Sequence, residues 1–450
     1  MKTFPLLAST LLLSACFMTG GDFQSPKNPQ AWTAYESSNI DMVEIQNLRA
    51  WWQVFDDATL NELIGITLSE SPDRNIAEAR IIEARGIRRT QRSFLFPQVG
   101  ASASQSREDT GFAGTDNFFD ARFDASYEID LFGKNRNNLN AADENLRVLE
   151  ASYHDTTLTL IAEVARTYIE YRSFQKQVAI AEKNLDIQKQ TLELIRTQME
   201  FGEAPQLDVE RAENLVNTTQ SSIPEFKRLA ENSRLSMSAL IGRLPEDLIP
   251  ILDNEAKIPG VDVKPVLMAP TSILNIRPDV RAAIATFNAS TSSAKVATAE
   301  LFPTLTLSGF FGVSESAFSA REVIWNVAIG AAVAILDFGR IEGQIDAARA
   351  VEIQAYEQLR KTILEAVTEV ETALTDYARI NQQRLSLQSA YDNADRALEL
   401  SQTLYREGEI SFIDVLDAQR TVNEADSALV TAEANQAQSL VRLYKSLGVY

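Results

Sequence analysis

The chain has 450 residues, a net charge of −20 and 45% hydrophobic content, which is enough apolar surface for a large core and excludes a disordered or low-complexity composition. An acidic balance with no basic patch argues against a nucleic-acid partner, whose phosphates it would repel. One Cys, one His and six Met leave no intrachain disulfide framework and too few soft ligands for a built-in metal cage.

Residues 1–15 read as a secretory signal: Lys2 in a short basic region, an apolar run to Leu13, then Leu-Ser-Ala-Cys. That ending resembles a bacterial lipobox, which implies cleavage before Cys16, acylation of Cys16 and a covalent lipid as the only attached group. Phe17 after the Cys implies, by the same resemblance, the outer rather than the inner membrane. An ordinary signal peptide with an accidental Cys is the alternative. Residues 16–71 form an N-terminal segment expected to pack on the rest, with Trp51 and Trp52 as packing residues. No later run is long enough for a membrane helix: 323–336 is about 14 residues where about 20 are needed.

From residue 72 the chain repeats itself with an offset of 206. Pro72-Asp73 matches Pro278-Asp279, Leu95-Phe96-Pro97 matches Leu301-Phe302-Pro303, and Gly133, Gly202, Asp208 and Gly242 match Gly339, Gly408, Asp414 and Gly448. A shared offset with no net insertion marks a tandem duplication, 72–242 and 278–448, joined by a Pro-rich segment, 243–277.

Each copy has one internal order. A short helix stops at Pro97 or Pro303. Two strands follow. Phe123, Ala125, Tyr127, Ile129 and Leu131 alternate with polar residues over about ten positions, and Val323, Trp325, Val327 and Ile329 share one face, the length and period of tilted membrane strands. Polar loops are expected at 110–117 and 314–321. A soluble half-buried sheet is the alternative, but it needs a covering layer that the remaining helices do not supply. From about Asn137 to Glu200 and from Gly343 to Glu407 there is neither Pro nor turn cluster, so some 60 residues form a rod of about 90–100 Å. A third helix, 207–241 and 413–447, follows each turn; with the short first helix it nearly matches the rod's length, so the two are expected to stack end to end beside it.

Four strands cannot close a barrel, since the known minimum is about eight and an open edge in lipid leaves backbone groups unsatisfied. Several chains must therefore share one: two give eight strands, three give twelve. The expected fold is mixed, a long α-helical coiled-coil tunnel on a transmembrane β-barrel shared between subunits.

The Cys16 lipobox, Trp51–Ile64, the two Leu-Phe-Pro motifs, the Gly133 and Gly339 turns and "YREGEISFIDVLDAQR" at 405–420 together resemble the TolC-like outer membrane factors, and among them the NodT-type lipoproteins of resistance-nodulation-division efflux systems. The resemblance implies a homotrimer with a twelve-stranded barrel in outer membrane lipid and a periplasmic tunnel whose tip meets a periplasmic adaptor protein and an inner-membrane pump.

Strands at one end of each rod place the turns at Gly202 and Gly408 at the other, as adaptor-docking turns. The resemblance implies that Tyr405, Asp208, Asp414, Asp417 and Arg420 hold a closed gate there, and spacing puts Ile413, Asp414 and Asp417 on one helical face, where threefold symmetry would make rings. Ile410 stands where relatives carry an Arg, so Arg420 pairing with a neighbour's Asp417 is the substitute latch. The plainer reading is that Ser411 and Asp414 cap the helix and Asp417 pairs with Arg420 within it. His154, alone on a long helix, reads as a solvated or packed residue and not as a ligand. No phosphate-binding loop, nucleophile elbow or His-rich metal pattern is present, so the expected role is a passive exit duct for small molecules and not an enzyme. The alternatives are the outer membrane component of a type I protein secretion system, or a coiled-coil adhesin or structural lipoprotein.

Overall fold

A computed structural model describes residues 23, 32–33, 41–42 and 49–450, the last stretch without 110, 112–114, 255–256, 262 and 317–318. The signal at 1–15 and Cys16 lie outside the described residues.

A two-residue strand, β1 (Asp41–Met42), and a 3-10 turn at Trp51–Phe55 precede α1 (Ala58–Glu70), which the Asp57 carboxylate caps by accepting from the Leu60 N–H. The first repeat then runs α2 (Pro72–Ser93), β2 (Gln98–Asp109), β3 (Thr115–Ile129), α3 (Lys134–Glu200) and α4 (Gln206–Ile241). The joining segment holds α5 (Ile249–Leu252), β4 (Val266–Leu267) and α6 (Pro270–Ile276). The second repeat repeats the order as α7 (Pro278–Ala299), β5 (Thr304–Ser316), β6 (Ser319–Ala332), α8 (Arg340–Glu407) and α9 (Phe412–Leu447).

The long helices have 67 and 68 residues, so each rod is about 100 Å. Both start earlier than the polar stretch suggested. Gly133 and Gly339, at φ 79° and 85°, make the sharp entry, and the Asp130 and Asp337 carboxylates accept backbone N–H groups of the first turn. The expected end-to-end stacking is present. A Cβ on Gly242, which closes α4, would lie 2.7 Å from Pro72 Cδ at the start of α2, and one on Gly448 would lie 2.7 Å from Arg277 Cγ beside the start of α7.

The four strands form one antiparallel sheet in the order β2-β3-β5-β6. Gln98 faces Ser126 in the first hairpin and Thr304 faces Ala332 in the second, so the 206-residue offset holds strand by strand. The two hairpins meet through β3 and β5, with Ala125 opposite Gly309. Phe123, Phe311 and Trp325 stand exposed on one face, and Asp124, Ser308 and Asn326 alternate onto the other. The strands run further than the apolar alternation: β3 begins at Thr115 and β5 continues to Ser316, so much of the expected loops at 110–117 and 314–321 is strand. Ladder hydrogen bonds need no apolar side chains, and pairs such as Glu108–Asp116 and Ser314–Glu322 continue the hairpins beyond the apolar band.

The core lies around the middle of the rods. Trp51 is buried and stacked on Tyr444, with ring centroids 5.5 Å apart. The Tyr168 hydroxyl donates to Asp57, and the buried Arg172 donates to the Asn254 carbonyl at 2.5 Å, tying the N-terminal and joining segments to α3. β1 pairs in parallel with β4, and the Trp32 indole donates to the Met268 carbonyl at 2.7 Å. No helix among the described residues is long and apolar enough to cross a membrane.

Candidate functional site

The two turns at the far end of the rods have the same backbone. After α3, Gly202 takes φ 77° and the Glu203 N–H reaches back to the Gln198 carbonyl at 2.8 Å; after α8, Gly408 takes φ 75° and Glu409 reaches Leu404 at 2.9 Å. This is a left-handed glycine cap that satisfies the last carbonyls of each rod. Nothing occupies the space a Cβ would fill at Gly202 or Gly408, so both glycines serve the backbone turn and not a close contact.

The helices leaving the turns start differently. Pro205 precedes α4, whose first turn carries Asp208. Ser411 precedes α9 and forms a capping box: Asp414 Oδ2 accepts the Ser411 N–H at 2.9 Å and its hydroxyl at 2.7 Å. Phe412 is buried between the two helix pairs with Ile195, Val209, Val415 and Leu416, and Ile410 packs on the edge of that cluster. Ile410 therefore adds apolar surface to the tip core.

Tyr405 joins the repeats. Its ring packs on Phe412 with centroids 5.6 Å apart, and its hydroxyl donates to Gln198 Oε1 at 2.8 Å. Burial pushes that hydroxyl above its ordinary value of 10.0 and the Asp208 charge adds to the rise, with the Gln198 bond opposing it. Asp208 meets Arg211 at 3.4 Å on its own helix. Arg420 meets Asp417 at 3.4 Å and Glu424 at 3.8 Å, also along one helix, so within the chain the plainer within-helix pairing is formed.

Ile413, Asp417, Arg420 and Ser427 of α9 line an open groove of about 980 Å³, together with Gln177 of α3, Arg211 of α4 and Gln383 of α8. Asp414 turns its carboxylate back into the cap, and Tyr405 and Asp208 lie at the junction of the turns. Gln198 and Arg211 are the partners that sequence reasoning missed. Their link to Tyr405 and Asp208 depends on helix phase, and no motif carries it. Among the described residues no group of three or more His, Cys, Asp or Glu side chains is placed to hold a metal ion.

A tandem helix-hairpin-helix chain with an open four-stranded sheet at one end can be compared with known proteins. A sequence profile of the outer membrane efflux protein family matches residues 63–243 and 269–449. The chain belongs to the outer membrane efflux protein family. It is 29% identical to the pyoverdine export outer membrane protein OpmQ of Pseudomonas aeruginosa, over 100% of this chain and 97% of that one. It is 30% identical to nodulation protein T of Rhizobium leguminosarum bv. viciae, over 98% and 93%. The solved outer-membrane channel OprN superposes with a TM-score of 0.89 at 31% identity, covering 96% of this chain and 99% of that one.

As a member of this family the chain is an outer membrane efflux channel subunit, with its sheet in the outer membrane and its helices in a periplasmic tunnel. Efflux channels of the family work as trimers with an inner-membrane pump and an adaptor, so three such sheets supply twelve strands. The family is one of ducts and not of enzymes.

Proposed function

We propose that three copies of this chain, each anchored by lipid on Cys16, form a passive outer-membrane exit duct for small molecules, fed by an inner-membrane pump through a periplasmic adaptor that docks on the turns at Gly202 and Gly408. The observation that carries this reading is polarity along the molecule: a sheet with two free edges at one end of rods about 100 Å long, and paired, open turns at the other. The free edges require partner strands in lipid. The turns, with nothing packed over their glycines, are the surface left for a docking protein.

Small molecules are favoured as cargo because the relative OpmQ is named for export of pyoverdine. The anchor is supported by reach. Phe23 packs on Phe287 of α7 and Tyr356 of α8, with ring centroids 5.1 and 4.7 Å away. From Phe287 to the end of α7 is about 18 Å of helix, and the seven residues from Phe23 back to Cys16 span up to about 23–25 Å. A lipid on Cys16 therefore has the length of chain needed to meet the membrane at the base of the sheet.

At the tip, Ile413 and Asp417 supply apolar and acidic rings that narrow the pore, Asp414 adds its free carboxylate oxygen, and Tyr405, Asp208 and Arg420 hold the turns in register. Like charges in a ring repel, so the closed state needs the neighbouring cations. Single-channel conductance in planar bilayers tests the gate. The expected result is a small resting conductance that Asp417→Ala raises; an unchanged conductance removes the acidic gate. Labelled palmitate tests the anchor, with label lost in Cys16→Ser; label that persists in that variant ends the claim.

A further inference from the structure

Helix α3 carries two heptad seams near the tip, and the chain uses one of them. Ala181, Leu185, Gln188, Leu192 and Ile195 recur at steps of four and three, and all five are buried. The apolar four share a cluster with Val209 and Ala212 of α4 and with Val415 and Leu416 of α9. The second seam lies on another face. Ile187, Gln190, Leu194, Thr197 and Phe201 recur at steps of three and four, and all five are exposed. Exposure of its apolar members rises toward the tip, from 37% at Ile187 to 51% at Leu194 and 78% at Phe201. The seam is about 21 Å long and ends against Gly202, where the turn begins. A continuous apolar stripe of this kind on a helix that is otherwise polar outside marks an interaction surface.

Assembly of the duct does not account for this stripe. Helix α3 packs on both α4 and α9, and α8 packs on α9, so the helices run in the order α4-α3-α9-α8. Helix α3 has its own chain on both sides, and α4 and α8 are the helices left for a neighbouring copy. The 206-residue offset supplies an internal comparison. On α8 the matching positions are Asn393, Leu400 and Glu407, so two of the three apolar positions are lost and no seam continues to that turn. The flank of the α3 seam also has a sign. Asp186, Glu193 and Glu200 each precede an apolar position by one, the place from which a coiled-coil helix pairs with the cations of its partner. Asp186 accepts from Gln190 at 2.8 Å and Glu193 meets Arg196 at 2.9 Å, while Asp186 and Glu200 form no ion pair among the described residues. On α8 the same column reads Asp392, Glu399 and Arg406.

We propose that the exposed seam seats one α-helix of the periplasmic adaptor, laid along α3 with apolar side chains at heptad spacing on Ile187, Leu194 and Phe201. Lys or Arg side chains of that helix face Asp186, Glu193 and Glu200. This rests on the reading that the adaptor docks on the turns, and it extends the contact from Gly202 up the side of the rod. Burial of the stripe supplies the attraction, and the carboxylate column selects a partner with a basic flank. The two turns of one chain are then unequal, because the turn at Gly202 continues into a helix seat and the turn at Gly408 does not. A trimer offers three lateral seats, one on each first repeat.

The test is photo-cross-linking in living cells of the native host, with p-benzoyl-phenylalanine placed singly in the full chain and the linked peptides identified by mass spectrometry. The positions are Ile187, Leu194 and Phe201 on the seam, Asn393 and Leu400 as the matched positions on α8, and Glu203 and Glu409 on the turns. The seam positions are expected to link to one adaptor helix at residues stepping by seven, the turn positions to link to the adaptor as well, and Asn393 and Leu400 to give no adaptor link. Glu193→Lys with Glu200→Lys is expected to abolish the links from Ile187 and Leu194 while native mass spectrometry still shows three chains. Links from the turns without links from Ile187 and Leu194 overturn the lateral seat and leave docking at the turns standing. Equal links from Asn393 and Leu400, or seam links to a second copy of this chain or to a protein that is not an adaptor, also overturn the seat. No adaptor link from any position, turns included, overturns the docking reading itself and the seat with it.

Discussion

One carboxylate oxygen of Asp414 accepts two hydrogen bonds from Ser411, from the N–H at 2.9 Å and the hydroxyl at 2.7 Å, while its other oxygen makes neither. Capping and gating are therefore compatible duties of one side chain. Asp414→Asn keeps an acceptor for the cap and removes the charge; Asp414→Ala removes both. The expectation is that conductance changes in both variants, whereas faster amide exchange over 411–416 appears only with Ala, at a cost of about 0.5–2 kcal/mol to the helix start.

The glycines of the tip and of the stack differ in what surrounds them. At Gly408 only the positive φ opposes a side chain, and Gly408→Ala is expected to cost about 1 kcal/mol. At Gly242, with φ 81°, an added Cβ also meets Pro72 Cδ at 2.7 Å and the Glu70 carbonyl oxygen at 2.9 Å. Gly242→Ala must therefore separate α4 from α2 and should lower the melting temperature by clearly more. Thermal melting of the two variants in detergent, side by side, checks the order.

His154 predicts an acid-side loss of stability. Its Nδ1 lies 2.6 Å from the Tyr450 hydroxyl, and burial holds its pKa below the ordinary 6.5, with Arg281 adding to the effect and Glu150 opposing it. The folded state thus binds this proton less readily than the unfolded chain. The stability it supports is full above pH 6.5 and is lost as pH falls through the depressed value. His154→Gln should flatten the dependence of melting temperature on pH between about 7.5 and 5 relative to the parent chain. An equally steep slope in the variant assigns the loss to other groups.

Most of the fold is readable from residue order, because the duplication repeats every marker. Pro72 and Pro278 open α2 and α7, Gly202 and Gly408 end the rods, and alternation around Phe123 and Trp325 marks two strands. Strand ends were less legible, since beyond the apolar band pairing continues on polar residues such as Asp116 and Glu315. Pro224 inside α4 breaks no helix, because packing on α3 outweighs the local penalty. At the tip, the turn glycines, the acidic residues and the local pairs Ser411–Asp414 and Asp417–Arg420 could be named, but the partners of Tyr405 and Asp208 could not. Tyr405 finds Gln198 from a position 207 residues earlier, and the choice between capping, within-helix pairing and pore lining for Asp414 and Asp417 depends on side-chain direction.

The central claim is that one chain holds too few strands to close a barrel, so its sheet is completed by other copies. Native mass spectrometry of the detergent-solubilised protein, with circular dichroism confirming helix content, measures this directly. The account predicts a particle of about three times the chain mass, which is 49.9 kDa before any processing. A fully folded particle with the mass of one chain would contradict it.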